Sequence, residues 1–526
     1  MAERYPVGVQ SFSKIIENNA IYVDKTDRIY LLLKEETVAN YFLSRPRRFG
    51  KSLLISTLKA IFQGKKELFK GLYIYDKIEW EEFPIIHLSM SDINFVDLGL
   101  KEALWRATYH IAQKEELVLP QDPQGSPLRE LLVALYEKYQ KRVVILVDEY
   151  DKPITHGLEA NDSSLAEINR DVMKGFYAGL KDADEYIRFL FITGISKFVK
   201  VSIFSDLNHL TDISLNKHFT TLCGYTQAEL EAYFPEGIQK LADANKLTKA
   251  ECLAKVADWY DGFSWDGENF VYNPFSTLLL LHSSGEFRNY WFESGTPTFL
   301  VKILNEMYSY DLSKETVSAH SFDIFNLRQL DIRAILLQTG YLTLKKPLGD
   351  NLYLAGFPNK EVEQSFNEML LADYIHQAPG NSPVHIYGIK NAFLENDVKK
   401  VIQLIESLFA ATPFHLFSKK NDKGKVTPVS ENFYHAVIYL IFNLLGVKMN
   451  AEVSVREGRI DAVVETNEHV YLFEFKKNQS PEVAIAQMKE KNYAEKYALS
   501  NKKIHLIGVS FSLRKRGLDK WEQEIL

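Results

Sequence analysis

Cysteine is nearly missing from this chain: Cys223 and Cys252 are the only two in 526 residues. Two thiols exclude a disulfide framework and a thiolate-only zinc site, and they suit a reducing cytoplasm. An excess of positive charge is also lacking. Lys and Arg number 62 against 69 Asp and Glu, a net charge of −7, so any nucleic-acid surface has to be local. No long hydrophobic run occurs, since Thr277–His282 is far too short to span a bilayer. The opening Met1-Ala2-Glu3-Arg4-Tyr5-Pro6 lacks the apolar core of a signal peptide. His209, His218 and His435 have no ligand partners at metal-binding spacing. These absences lead to the expectation of a cytoplasmic protein with no membrane partner.

What is present is ordinary globular material, 46% hydrophobic and 25% charged, with a length that predicts about three or four domains. No repeat or low-complexity stretch interrupts it. Over residues 1–222, apolar strand-like runs alternate with helical patterns, which predicts a parallel α/β sheet. Core strands are expected at Val38–Leu43, Pro84–Ser89, Arg142–Val147 and Arg188–Thr193, with a helix over Ser52–Phe62. Residues 223–300 read as a helical lid, with a helix start at Thr226-Gln227-Ala228-Glu229. Residues 301–417 read as a winged-helix-like and helical region. Its helix Leu330–Gln338 is followed by a hairpin, Tyr341–Lys345 and Leu352–Gly356, turning at Gly349-Asp350-Asn351. A charged, breaker-containing loop at 418–425 marks a boundary, and residues 426–526 read as an α-β-β-β-α-β unit. Its elements are helix 431–445, strands 451–456, 459–465 and 469–476, helix 480–498 and strand 503–510.

One more absence carries chemistry. In Ser44-Arg45-Pro46-Arg47-Arg48-Phe49-Gly50-Lys51-Ser52, the ending is that of a phosphate-binding loop, but Arg45 stands where the first glycine belongs. In such a loop backbone N–H groups cradle phosphates, the lysine reaches the β/γ-phosphates, and the serine hydroxyl ligates Mg²⁺. A lone Gly-Lys-Ser is common, and an apolar strand ending in acids is usually a strand meeting solvent. Here the two occur in order, roughly 95 residues apart, as a Gly50-Lys51-Ser52 turn and then Arg142–Val147 delivering Asp148 and Glu149. Asp148 is placed to hold Mg²⁺ and Glu149 to polarise an attacking water. Thr193 or Ser196, at the tip of a further strand, would lie near a γ-phosphate.

With Tyr22-Val23-Asp24-Lys25-Thr26 and Val147-Asp148-Glu149-Tyr150-Asp151-Lys152-Pro153, these segments resemble the bacterial AAA-ATPase-like proteins over residues ~5–300. The arginine-rich loop is itself part of that pattern. Trp259-Tyr260-Asp261-Gly262-Phe263 and Tyr272-Asn273-Pro274 resemble the family's downstream helical region. The resemblance implies ATP and Mg²⁺ as cofactors, contacted by Gly50, Lys51, Ser52, Asp148 and Glu149. It leaves Arg47 and Arg48 either supplementing the phosphate clamp or facing another subunit, with a homo-oligomer as one outcome. Asp24-Lys25-Thr26 has no role that the sequence yields.

Near the other end, Gly458-Arg459-Ile460-Asp461 is followed by Leu472-Phe473-Glu474-Phe475-Lys476. Strand alternation puts Glu474 and Lys476 on one face and Phe473 and Phe475 on the other. A turn at Thr466-Asn467-Glu468 would bring Asp461 alongside them. Two carboxylates and a lysine on one face suit metal-assisted phosphodiester hydrolysis: the acids hold Mg²⁺ and Lys476 orients water or offsets developing charge. Equally, Glu474 and Lys476 are what the wet side of any strand carries. Glu431 is a candidate third carboxylate, and Gln487 and Tyr493 candidate orienting groups. The pattern resembles the PD-(D/E)XK nuclease superfamily, with Ile460 in place of the motif's proline and a shifted Gln-to-Tyr spacing. The resemblance implies a nuclease acting on nucleic acid, DNA being the expected substrate. Residues 476–526 carry eleven Lys/Arg against six Asp/Glu, a weak pointer to phosphate. The alternative is a nucleotide-dependent switch or scaffold whose nuclease-like domain binds without cleaving.

Overall fold

The computed structural model describes residues 3–34, 40–120, 126–160, 162–197, 203–204, 210–283, 285–291, 312, 315–318, 332–374, 382–410, 418–420, 426–428, 431–445, 453–455, 458–512 and 517–526. The chain divides into two compact units, residues 1–299 with 312–363, and residues 300–311 with 364–526. Residues 421–425 of the charged loop lie outside the described residues. Among the described residues no helix is long and apolar enough to cross a membrane.

The first unit is built on a five-stranded parallel sheet. Its strands are β1 (Asn40–Ser44), β2 (Ile85–Ser89), β3 (Val143–Asp148), β4 (Ile187–Gly194) and β5 (Thr211–Asp212), in spatial order β2-β3-β4-β1-β5. β1 and β3 are buried at every position. That is why β3 reads as an unbroken apolar run over Val143–Val147 and β1 is apolar at its centre, Tyr41-Phe42-Leu43: a parallel sheet is covered on both faces. Each expected strand is present, displaced by a residue or two, and the two-residue β5 is an addition. Residues 38 and 39, the expected start of β1, lie outside the described residues.

Helices α1 (Phe12–Glu17) and α2 (Thr26–Leu33) precede β1, and α3 (Lys51–Phe62) follows it. Between β2 and β3 lie α4 (Phe95–Leu98), α5 (Leu100–Lys114) and α6 (Pro127–Tyr139). Between β3 and β4 lie α7 (Lys152–Glu159) and α8 (Ser163–Ala178). Ile145, Val147, Leu190 and Ile192 share a core with Leu104, Leu131, Leu135, Met173 and Tyr177 from these helices.

Four helices come next: α9 (Gln227–Tyr233), α10 (Pro235–Asn245), α11 (Lys249–Tyr260) and α12 (Pro274–His282). Thr226 and Glu229 form a reciprocal capping box on α9, and Thr248 and Glu251 repeat it on α11. Strand β6 (Glu315–Ser318), helix α13 (Ile332–Thr339) and the hairpin β7 (Thr343–Gly349) and β8 (Leu352–Gly356) complete the unit. Asp350 and Asn351 both have positive φ, as a tight hairpin turn requires, and β6 adds a third antiparallel strand beside β8. Helix α14 (Lys360–Tyr374) follows.

The second unit contains α15 (Ser382–Leu394), α16 (Val398–Ala410), the short pair β9 (Ser418–Lys420) and β10 (Val426–Pro428), and α17 (Glu431–Leu444). Its main sheet runs β13 (Ala462–Glu465), β14 (His469–Lys477), β15 (Lys503–Ser512) and β16 (Gly517–Ile525), with β14 and β15 parallel and both edges antiparallel. The expected strand 459–465 is broken. β12 (Gly458–Ile460) pairs with β11 (Val453–Val455), β13 pairs with β14, and Asp461 occupies the break. The expected helix 480–498 stops early, as α18 (Pro481–Glu490), because Asn492 takes a left-handed conformation and the Tyr493 N–H closes back on the Met488 carbonyl. β16, at the sheet edge, alternates in exposure as a polar edge strand does and is an addition to the expected pattern.

Candidate functional site

The sheet order places β4 between the strand that feeds the phosphate loop and the strand that carries the acids. Thr193, near the tip of β4, donates its hydroxyl to Asp148 Oδ1 at 2.6 Å. Ser196 is drawn elsewhere. Its N–H and hydroxyl both donate to the buried Asp151 carboxylate, at 2.7 and 2.6 Å. Of the two polar residues offered for a γ-phosphate, only Thr193 joins the acid pair.

Within the loop, Arg48 and Gly50 both have positive φ, and among the described residues a side chain at Gly50 would meet nothing within 4 Å. Gly50 therefore serves as a left-handed start to α3, with open space in front of it. Lys51 is buried and its Nζ donates to the carbonyls of Arg45 and Pro46, both at 2.9 Å. Burial lowers its pKa, against the pull of Asp148, Glu149 and Asp151. Ser52 is partly exposed on the first turn of α3.

Arg45, the residue in place of glycine, has no exposure at all. Its guanidinium donates to the carbonyls of Ser44, Ser214 and Phe219 at 2.8, 2.8 and 3.0 Å and lies 3.9 Å from the Trp265 ring centre. Burial lowers its pKa to about 10. It is a strut under the loop. Arg47 pairs with Glu159 at 3.3 Å, and Arg48 stacks 4.6 Å from the ring centre of Phe275 at the start of α12. Glu149, with φ of 54°, accepts from Ser91 Oγ and lies 3.6 Å from Lys152 Nζ. Burial pushes its carboxyl up, but Ser91 and the cations Lys51, Lys152 and Arg47 outweigh that and hold it below the ordinary range.

The unassigned Asp24-Lys25-Thr26 also finds a place. Asp24 accepts from the N–H and hydroxyl of Thr26 and from the N–H of Tyr73. Lys25 donates to both carboxylate oxygens of Glu229, the same residue that closes the α9 capping box. The motif staples the chain's early segment to the helical region.

In the second unit the break at Asp461 decides the geometry. Released from both ladders, its Oδ2 accepts the Phe475 N–H at 2.8 Å, which holds it beside Glu474. Glu474 Oε1 accepts from Lys476 Nζ at 2.8 Å and from Gln487 Nε2 at 2.6 Å, while its buried Oε2 has no partner among the described residues. Glu474 is only 3% exposed; burial raises its carboxyl pKa, and the nearby Asp461 raises it further. The turn at Thr466 forms as expected, and Phe473 and Phe475 pack on the opposite face against Phe442 of α17. Asp461, Glu474, Lys476 and Gln487 are thus brought together.

The family profile described as "Predicted AAA-ATPase" matches residues 6–204, and that described as "PD-(D/E)XK nuclease superfamily" matches residues 429–521. A protein of Azotobacter chroococcum mcd 1, described as an uncharacterized protein in the vnfD 5′ region, is 36% identical over 526 residues, covering 98% of each chain. The chain belongs to the AAA-ATPase-like proteins that carry a PD-(D/E)XK nuclease superfamily domain.

For an AAA-ATPase-like protein the missing first glycine is thus a packing residue rather than a gap in the loop. In the PD-(D/E)XK domain, Tyr493, the other candidate orienting group, lies beyond the end of α18. It is fully buried among Leu472, Met488 and Leu506. Glu431 begins α17, and its side chain lies outside the described residues. Among the described residues no three His, Cys, Asp or Glu converge on a metal position. Two carboxylates, one with a bare buried oxygen, do fit Mg²⁺, which keeps several waters and takes one or two protein carboxylates. One contributor escaped the sequence: Gly508, paired with Glu474 across β14 and β15. A Cβ there would lie 3.0 Å from the Pro481 carbonyl carbon and 3.2 Å from Ala484 Cβ. Its lack of a side chain lets α18 approach and bring Gln487 within reach of Glu474. A single glycine inside a strand was the only signal available.

Proposed function

We propose that the protein binds and hydrolyses ATP through its first unit and cleaves nucleic-acid phosphodiester bonds, those of DNA, through its second, in the cytoplasm. The observation that carries the nuclease reading is the Glu474 carboxylate, with one oxygen held by Lys476 and Gln487 and the other buried without a partner among the described residues. Asp461 and Glu474 would hold Mg²⁺, which when bound polarises a phosphodiester and lowers the pKa of a bound water. Lys476 is a cation beside that position and stabilises charge developing on phosphate. Gln487 fixes the Glu474 rotamer, and Phe475 N–H fixes Asp461.

At the other site Lys51 supplies the cation for phosphate, and nucleotide must draw its Nζ from the Arg45 and Pro46 carbonyls. Ser52 and Asp148 would hold Mg²⁺, Thr193 orients Asp148, and Glu149 orients water. Incubation with plasmid, single-stranded DNA and RNA, with Mg²⁺ and with or without ATP, tests both readings. Asp461→Ala should abolish cleavage and Lys51→Ala should abolish ATP binding. Equal cleavage by Asp461→Ala and the unaltered protein removes the nuclease assignment.

A further inference from the structure

The stretch Gln338 to Gly340 at the end of α13 touches both walls of the candidate nucleotide site. On one wall, Gly340, with φ of 89°, lies so close to the phosphate loop that a Cβ there would stand 2.8 Å from Pro46 Cβ. On the other, the Gln338 side-chain carbonyl accepts the Lys197 N–H at 2.8 Å. Lys197 ends the Gly194–Lys197 tip of β4, which begins one residue past the Thr193 that holds Asp148. Ser44, the last residue of β1, donates its hydroxyl to the Ile195 carbonyl in the same tip.

A third link runs through the aromatic residue of the loop. Phe49 packs edge-on against Phe263 at 4.8 Å and Trp265 at 5.5 Å, and Trp265 lies under the Arg45 guanidinium. Ser264, between those two aromatics, exchanges hydrogen bonds with the Thr343 hydroxyl at the start of β7, at 2.7 and 3.0 Å. The residues that make this loop unusual, Arg45, Pro46 and Phe49, are therefore the ones that contact residues 263–265 and 340.

From this geometry we infer that the α13 end and the hairpin β7–β8 form a transmission element that responds to nucleotide at the phosphate loop. The inference rests on the ATP-binding reading. Nucleotide that draws Lys51 from the Arg45 and Pro46 carbonyls shifts the backbone that Gly340 packs on. Closely packed contacts of this kind favour discrete arrangements over gradual deformation. The coupling is reciprocal, so altering the α13 end changes nucleotide affinity by the same factor.

The test measures amide hydrogen exchange across residues 337–344 in the full chain, alone, with Mg²⁺-ADP, and with a non-hydrolysable ATP analogue and Mg²⁺. Calorimetry monitors binding of the same nucleotides. Nucleotide is expected to change exchange of this segment at least about fivefold, the lower end of typical coupling. The isosteric Gln338→Met, which keeps packing but loses the acceptor for Lys197, should still bind nucleotide with that response reduced or lost. Gln338→Ala serves as a second variant, with circular dichroism reporting its fold. Binding by the unaltered protein without any change at 337–344 overturns the inference and leaves the ATP reading standing. A full response in both folded variants overturns the Gln338 route. Absence of nucleotide binding by the unaltered protein removes the ATP reading, and the inference with it.

Discussion

Adding one methyl group at Gly508 should disable the candidate nuclease centre without touching any of its polar side chains. An alanine Cβ would collide with the Pro481 carbonyl oxygen and stand 3.0 Å from its carbon and 3.2 Å from Ala484 Cβ. Unstrained carbon contacts lie at about 3.5–4.0 Å. Position 508 sits in the central strand β15, hydrogen-bonded on both sides, so relief has to come from α18 withdrawing by about 1 Å. Gln487 rides on that helix and is joined to Glu474 by a 2.6 Å hydrogen bond, which would stretch beyond useful length. Overpacking of this kind costs about 1–3 kcal/mol, and a catalytic group misplaced by about 1 Å can lose about 100-fold in rate. The assay is Mg²⁺-dependent cleavage by Gly508→Ala, Gln487→Ala and the double variant, with the unfolding of the second unit followed in parallel. Because both changes act through one hydrogen bond, the double variant should be little worse than the more damaging single one. Cleavage by Gly508→Ala at the unaltered rate, or losses that multiply in the double variant, would refute the reasoning.

Three further outcomes are expected. Arg45→Gly restores the usual glycine of a phosphate loop, yet it should destabilise the first unit by about 3–5 kcal/mol, since three carbonyls lose a buried charged donor and Trp265 loses its stacking partner; denaturant unfolding measures it, and an unchanged midpoint contradicts the strut. Glu229→Gln leaves Lys25 buried without its countercharge while the glutamine carbonyl keeps the α9 cap acceptor, so it should cost about 2–3 kcal/mol, more than Lys25→Met in the same unfolding assay. Glu361 accepts from Ser276 Oγ and Trp291 N, and burial raises its carboxyl from the ordinary 4.5 to about 8. The folded state therefore keeps a proton that the unfolded state has lost between those values, so this group's contribution to stability falls as pH rises from 4.5 to 8 and is level above that. Glu361→Gln should flatten that slope, and melting measured across this range would show an undiminished slope if the assignment is wrong.

Much of the local structure was legible because it depends on short-range rules. Apolar runs marked β1 and β3, Thr226 and Glu229 announced a capping box, and Gly50-Lys51-Ser52 opened a helix directly after a strand. Two-residue alternation put Glu474 and Lys476 on one face, where they bond at 2.8 Å. Boundaries were less secure: α18 ends at Glu490 because Asn492 adopts positive φ, a choice that helical periodicity does not reveal.

The sequence by itself determined the strand and helix pattern, the residue types at both ends of the chain, and the pairing of Glu474 with Lys476 on one strand face. Tertiary structure decided what those residues touch. Arg45 became a strut because Ser214, Phe219 and Trp265 come round to meet it, at separations of about 170 residues and more. Lys25 found Glu229 at a separation of 204 residues. Thr193, rather than Ser196, reached Asp148 because the sheet inserts β4 between β1 and β3. Gly508 gained its meaning only when α18 lay across it. Periodicity and capping act over a few residues and are written in the local sequence. Strand order, the approach of a helix to a sheet, and the partner of a buried charge are set by how the whole chain packs.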